Sequence, residues 1–134
     1  MKILIDTHIL IWYLEDDNRL SQKARYIIEN RENEIYYSFA SIWEVEIKHA
    51  AHPDRLSMSG ENLLEHCGQL GFTQVPLKID HILAVKHLTR KPDAPPHRDP
   101  FDRLMIAQAI VDNMLFITHD ERIAEYVSPM IYKI

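Results

Sequence analysis

Asp6, Glu44, Asp99, Asp102 and Asp120 are the residues of this chain whose type and placement could do chemistry together. Asp6 closes the apolar run that starts at Lys2, and Asp120 follows the apolar run Leu115–Thr118. Glu44 falls one turn into the helical segment after a second such run, and Asp99 and Asp102 open the helical segment that leads to Leu115. In an open parallel α/β sheet, ligands bind outside the carboxyl ends of the strands. These acids are therefore candidates for one shared pocket. Carboxylates crowded together raise one another's pKa, and a hard divalent cation removes that penalty. Oxygen ligands alone select Mg²⁺ or Mn²⁺ over zinc.

Each acid also has a purely local explanation. Asp6 can cap the helix that follows it. Glu44 can pair with Lys48 one turn on, a contact worth a few tenths of a kcal/mol. Asp99 before Pro100 is a good helix cap, Asp102 suits the positive end of the helix dipole, and Asp120 can start a short helix. What sets the acids apart is that several separate elements bring them to the same sheet edge. The eight histidines offer no comparable pattern, since His49 and His52 lack the cysteine or glutamate spacing of zinc sites. His119, among residues facing the expected pocket, is the one that stands out.

The elements that must position these acids alternate. Lys2–Ile5, Glu34–Ser38, Thr73–Val75 and Leu115–Thr118 read as strands, with an edge strand at Met130–Tyr132. Helices are expected at His8–Leu14, from a Ser21 cap onward, at Ser41–Ala50, at Gly60–Leu70 closed by Gly71, and at Ile79–Leu88. Pro100–Asp112 is the strongest helix, and Glu121–Tyr126 a short one. On the Ile79 helix, Ile82, Leu83 and Val85 are expected in the core. Thr89–Arg98, with Pro92, Pro95 and Pro96, reads as an extended surface loop. Strands separated by helices imply parallel crossovers and an α/β sandwich.

The chain has 134 residues and a mass of 15.8 kDa, the size of one domain. It is 46% hydrophobic and 26% charged, which excludes global disorder. One cysteine, Cys67, excludes an internal disulfide, favours a reducing compartment and reads as a small buried hydrophobe. Apolar runs fall short of the roughly 18 residues of a membrane span, and the start reads as too short for a signal peptide. Gly60, Gly68 and Gly71 cannot build a phosphate loop or dinucleotide fingerprint. A net charge of −5 argues against indiscriminate nucleic-acid coating. It leaves room for a local basic site, and Arg90, Lys91, His97, Arg98 and Arg103 cluster around the proline loop. Arg103, next to Asp102 on a helix, points away from it.

Four segments carry a resemblance to a known family. They are Ile3–Trp12, reading ILIDTHILIW, and Ala40–Glu44, reading ASIWE. The others are His97–Ala109, reading HRDPFDRLMIAQA, and Leu115–Glu121, reading LFITHDE. In order and spacing they resemble PIN-domain proteins of the VapC toxin type. The third segment is the most specific, and together the four span nearly the whole chain.

The resemblance implies one PIN-like nuclease domain over residues 1–134. Its expected form is an α/β/α sandwich around a mostly parallel sheet of four or five strands. It implies that Asp6, Glu44, Asp102 and Asp120 are the catalytic, metal-binding acids, with Asp99 a further possible ligand. Thr7 and Thr118 correspond to supporting hydroxyls. The implied activity is an endoribonuclease using Mg²⁺ or Mn²⁺ and leaving 5′-phosphate and 3′-hydroxyl ends, with Arg90, Lys91, Arg98 and Arg103 placed to hold RNA phosphates. The implied setting is cytoplasmic, as a homodimer or a hetero-oligomer with a small VapB-like antitoxin that covers the site. Trp12, Trp43 and the segment Ala51–Leu63 are expected near the antitoxin groove.

Two rivals remain. A haloacid-dehalogenase-like phosphatase wants Asp-x-Asp after the first strand, but Asp6 is followed by Thr7 and His8. A receiver domain wants paired acids before its first helix and a lysine past its last strand, a pattern also missing here. A non-catalytic binding module on the same fold predicts at least one broken acid position, and none is broken.

Overall fold

The computed structural model describes residues 1–134. Five strands, β1 (Lys2–Ile5), β2 (Glu34–Ser38), β3 (Thr73–Val75), β4 (Leu115–Thr118) and β5 (Ile131–Lys133), form one sheet in the order β3-β2-β1-β4-β5. Every neighbouring pair is parallel. The central strand, β1, is apolar on both faces and buried from Ile3 to Ile5, as a strand covered by helices on both sides should be. Its period of two splits the core. Ile3 and Ile5 point with Ile35, Tyr37 and Ile117 into one cluster, under residues of α1 (Thr7–Leu14), α2 (Gln22–Glu29) and α4 (Gly60–Gln69). Leu4 points with Val75 and Phe116 into the other, under Met105, Ile106 and Ala109 of α6 (Pro100–Val111). The expected α/β/α sandwich is thereby present.

Local signals account for most helix ends. Ser21 caps α2 by accepting from the Ala24 N–H, and Asp99 caps α6 ahead of Pro100. Gly71, at φ 76°, ends the turn after α4 in the left-handed region that glycine tolerates. The third helix, α3 (Phe39–Ala51), starts two residues before Ser41, because the Ser38 hydroxyl caps it by accepting from the Ala40 N–H at 3.0 Å. Cys67 is fully buried, as expected.

The helix expected at Ile79–Leu88 needs correcting. It is α5 (Ile79–Ala84) followed by a 3₁₀ turn, Val85–His87. Ile82 and Leu83 are 47% and 53% exposed, and Val85 is only half-buried. The residue that α5 buries is His81. Its Nδ1 accepts the Lys78 N–H, and its Nε2 lies 3.0 Å from Asp112 Oδ2. At about 100° of rotation per residue, turning His81 inward turns the next two side chains outward. The last helix, α7, is also shorter than expected (Glu121–Ala124). Tyr126 lies beyond it, in an isolated antiparallel bridge with Arg90 of the proline loop.

Candidate active site

β1 ends at Ile5, and the next residue continues the ladder, the Asp6 N–H donating to Ile117 O at 3.1 Å. This places Asp6 at the carboxyl edge of the two central strands. Its side chain caps α1: Oδ1 accepts the Thr7 N–H and Oδ2 accepts the Thr118 hydroxyl, both at 2.7 Å. Burial still pushes its carboxyl up to about 6, the two hydrogen bonds restraining the rise and Glu44 adding to it. Thr118 does a second job. Its Oγ1 accepts the Asp120 N–H at 3.0 Å, so one hydroxyl joins two of the expected acids.

Asp102 lies in the first turn of α6 and is 7% exposed. Burial pushes its carboxyl up to about 8, with repulsion from Asp6, Asp99, Glu44 and Asp120 adding to the rise. The four other candidate acids therefore all act on this one group. Glu44, on α3, is also buried. Its Oε2 pairs with Lys48 Nζ at 2.6 Å, but Oε1 is buried with no hydrogen-bond partner. The local Lys48 pairing is thus real, and it leaves one carboxylate oxygen over.

Asp120 follows β4 and behaves differently. Burial would raise its carboxyl, but hydrogen bonds from the Arg122 backbone N–H and guanidinium outweigh that and bring it below its ordinary value. The guanidinium contact is 3.0 Å between Arg122 Nη2 and Asp120 Oδ2. Asp99 does what its cap position suggests, Oδ1 accepting the N–H groups of Phe101 and Asp102 at 2.9 and 3.2 Å. The Thr7 hydroxyl shares a 2.8 Å hydrogen bond with Ser41 and makes none to an acid.

No three of the His, Cys, Asp and Glu side chains are drawn together closely enough here to hold an ion. Each carboxylate turns instead to a partner of its own, as like charges do when nothing positive lies between them. The donor set nevertheless fits a hard divalent cation. It is made of carboxylate oxygens alone, one of them is buried without a partner, and two of the acids are pushed up by burial and by neighbouring acids.

The expected phosphate-binding group divides. Lys91 and Arg98 are exposed and make no ion pair. Arg90 is engaged: its guanidinium donates to the Pro95 and Arg122 carbonyls and lies 4.7 Å over the Tyr126 ring. Arg103 is partly buried, within 3.4 Å of Val85 O, with its Nε unpartnered. Both guanidiniums are engaged with backbone carbonyls, whereas Lys91 and Arg98 are not paired. Trp12 is 8% exposed and belongs to the core, its ring 4.2 Å from that of His119, whereas Trp43 is 55% exposed. Ser41 escaped the expected set, and His97, expected in the basic cluster of the proline loop, takes a different place. Ser41 partners Thr7, and His97 is buried with Nε2 3.1 Å from Asp102 Oδ2. Both stand inside the matching segments, but their spacing to Thr7 and Asp102 has no signature in the sequence.

The family model described as PIN domain matches residues 3–128. No curated protein sequence matches the chain. Among solved structures, the chain is similar to one in the crystal structure of VapBC2 from Rickettsia felis bound to a DNA fragment from their promoter. That match has a TM-score of 0.67 at 14% identity and covers 99% of this chain and 98% of that chain. At this identity the likeness speaks for the fold.

Proposed function

The chain belongs to the PIN-domain family, and from that premise we propose that it is a metal-dependent endoribonuclease, the toxin of a VapC-type toxin–antitoxin pair. The observation that carries the reading is the acidic edge itself. Asp6, Glu44, Asp102 and Asp120 come from four elements, and the other three acids all repel the buried Asp102. Such a concentration of buried charge destabilises a fold unless something positive offsets it.

In this reading Asp6, Glu44, Asp102 and Asp120 hold Mg²⁺ or Mn²⁺, and Asp99 remains a cap. When bound, the cation lowers the pKa of water and neutralises charge on the phosphate. The chain's own part is positional. Thr118 keeps Asp6 and Asp120 in register through one hydroxyl. Glu44 offers its unpartnered Oε1 while Lys48 balances the other oxygen. Lys91 and Arg98, free of ion pairs, steady flanking phosphates. Water adds to phosphorus and the 3′ oxygen leaves with a proton, giving 5′-phosphate and 3′-hydroxyl ends. The substrate is RNA in single-stranded or loop regions, where the backbone is accessible.

The partners proposed are a second copy and a small antitoxin. Exposed apolar side chains support an interacting surface: Trp43 and Ile47 on α3, and Ile79, Ile82 and Leu83 on α5. A cleft of about 370 Å³ between α1 and the end of α3, lined by Ile11, Trp12 and Leu56, is the groove proposed for the antitoxin. No helix is long and apolar enough to cross a membrane. A cytoplasmic setting is proposed from the family and the single thiol.

The test is cleavage of total cellular RNA and defined single-stranded RNA by partner-free protein, with Mg²⁺, Mn²⁺ or EDTA. Metal-dependent cutting abolished by Asp6→Asn and by Asp102→Asn is the expected result. Folded protein that cuts none of these with either metal returns the chain to the binding-module reading.

A further inference from the structure

The side chain of His97 is only 2% exposed, although it ends a surface loop. A ring so buried needs both nitrogens satisfied. Nε2 lies 3.1 Å from Asp102 Oδ2, and Nδ1 lies 2.9 Å from the Tyr126 hydroxyl. Tyrosine has one proton to give, and the shorter of its two contacts is to Nδ1; the other, to His97 O, is 3.3 Å. With Nδ1 accepting, Nε2 carries the ring proton and donates to the carboxylate.

The tyrosine is itself held. It is 4% exposed in the α6-side core, with the Arg90 guanidinium 4.7 Å over its ring. Arg90 also donates to the Pro95 and Arg122 carbonyls. Around it, the Lys91 N–H donates to Glu125 O and the Val127 N–H to Thr89 O, both at 2.8 Å. The proline loop is therefore strapped to the segment after α7, and the strap ends on Asp102.

Asp102 needs such a hold. Four carboxylates repel it, and its side chain turns about two bonds. One oxygen is taken by His97, and the other makes no hydrogen bond within the protein. We propose that His97, backed by Tyr126 and Arg90, is the positioning residue of Asp102, holding Oδ2 so that Oδ1 is presented to the divalent cation. A hydrogen-bonded partner of a metal-binding group commonly has this orienting effect, and losing it typically costs about 10–100-fold in affinity or rate. The proposal rests on the nuclease reading above.

The test uses the full chain, Mn²⁺ and a labelled single-stranded RNA. His97→Leu removes the donor, His97→Gln keeps an N–H near the position of Nε2, and Tyr126→Phe removes only the hydroxyl. Calorimetry measures Mn²⁺ affinity, steady-state kinetics separates kcat from KM, and melting in EDTA reports the fold. His97→Leu is expected to weaken Mn²⁺ and lower kcat by about 10–100-fold, with KM for RNA unchanged. His97→Gln restores most of both, and Tyr126→Phe shows a smaller loss in the same two quantities. A folded His97→Leu protein with wild-type Mn²⁺ affinity and kcat overturns the proposal. So does a loss that follows Tm alone and that glutamine does not restore. If His97→Leu does not fold, Tyr126→Phe decides, and unchanged Mn²⁺ affinity there overturns the proposal. Wild-type protein that neither binds Mn²⁺ nor cuts RNA overturns the nuclease reading, and this proposal with it.

Discussion

Asp102 and Asp120 are the same residue type at the same sheet edge, yet their carboxyls are displaced in opposite directions. Burial and four acidic neighbours push Asp102 up to about 8. Asp120 is also pushed up by burial, but Arg122, two residues on, brings it below its ordinary value. The difference lies in what each acid can reach. Asp120 has a guanidinium that is itself 66% exposed and keeps its hydration. Asp102 has a histidine that satisfies one oxygen and neutralises nothing unless protonated. One side of the edge is stabilised by the chain itself, and on the other the chain leaves the repulsion between carboxylates largely unopposed.

Activity should break that comparison most sharply. Asp102→Asn and Asp6→Asn are expected to lower RNA cleavage by more than the roughly 100-fold upper range for an orienting partner. Both should hold or raise the Tm of protein in EDTA, because each removes a buried charge from a repelling group. A metal-free protein that either substitution destabilises strongly would show that the inner acids do not repel as described.

The pH dependence of metal-free stability comes next. A carboxyl raised in the folded state contributes stability that is fully present below its unfolded value near 3.8 and lost as pH rises through the folded value. With Asp6 raised to about 6 and Asp102 to about 8, Tm in EDTA should fall between about pH 4 and pH 8. Asp120 acts with the opposite sign, its contribution present above its ordinary value and lost in acid. Melting curves with Mn²⁺ should recover several degrees at pH 8 and little at pH 5. Equal recovery at both would deny the inner acids their role in binding the ion.

Asp120→Asn should have a smaller effect on the fold. Its partner is mostly exposed, so losing the pair costs about 0–1 kcal/mol and lowers Tm in EDTA slightly, the reverse of Asp102→Asn. The smallest effects belong to Lys91→Gln and Arg98→Gln. Each should reduce the salt slope of single-stranded RNA binding by about 0.7 and leave kcat unchanged. No change in slope from either would move the phosphate contacts elsewhere on the surface.

Much of this arrangement was legible in the sequence. Bounds read for β1, β2, β3 and β4 agree with the structure, because short apolar runs between polar stops are local signals. The Ser21 and Asp99 caps and the Gly71 turn were legible for the same reason. The face of α5 was not. Its isoleucines and leucine advertise a core helix, but the His81–Asp112 contact bridges 31 positions and turns them to solvent. Arg90 and Arg103 read as phosphate ligands from charge alone, and only packing shows their guanidiniums on backbone carbonyls.

The sequence by itself determined which acids stand at strand ends and helix starts, since caps, turns and the period of two operate over a few residues. It also determined the pairing of Glu44 with Lys48, four positions apart. Only the tertiary structure decided the company of Asp6 and Asp102. Thr118 reaches Asp6 across 112 positions, and Tyr126 sets the His97 ring against Asp102 from 29 positions beyond that ring. Side chains so distant along the chain meet only when the sheet closes, because β1 and β4 become neighbours through a crossover no local preference encodes.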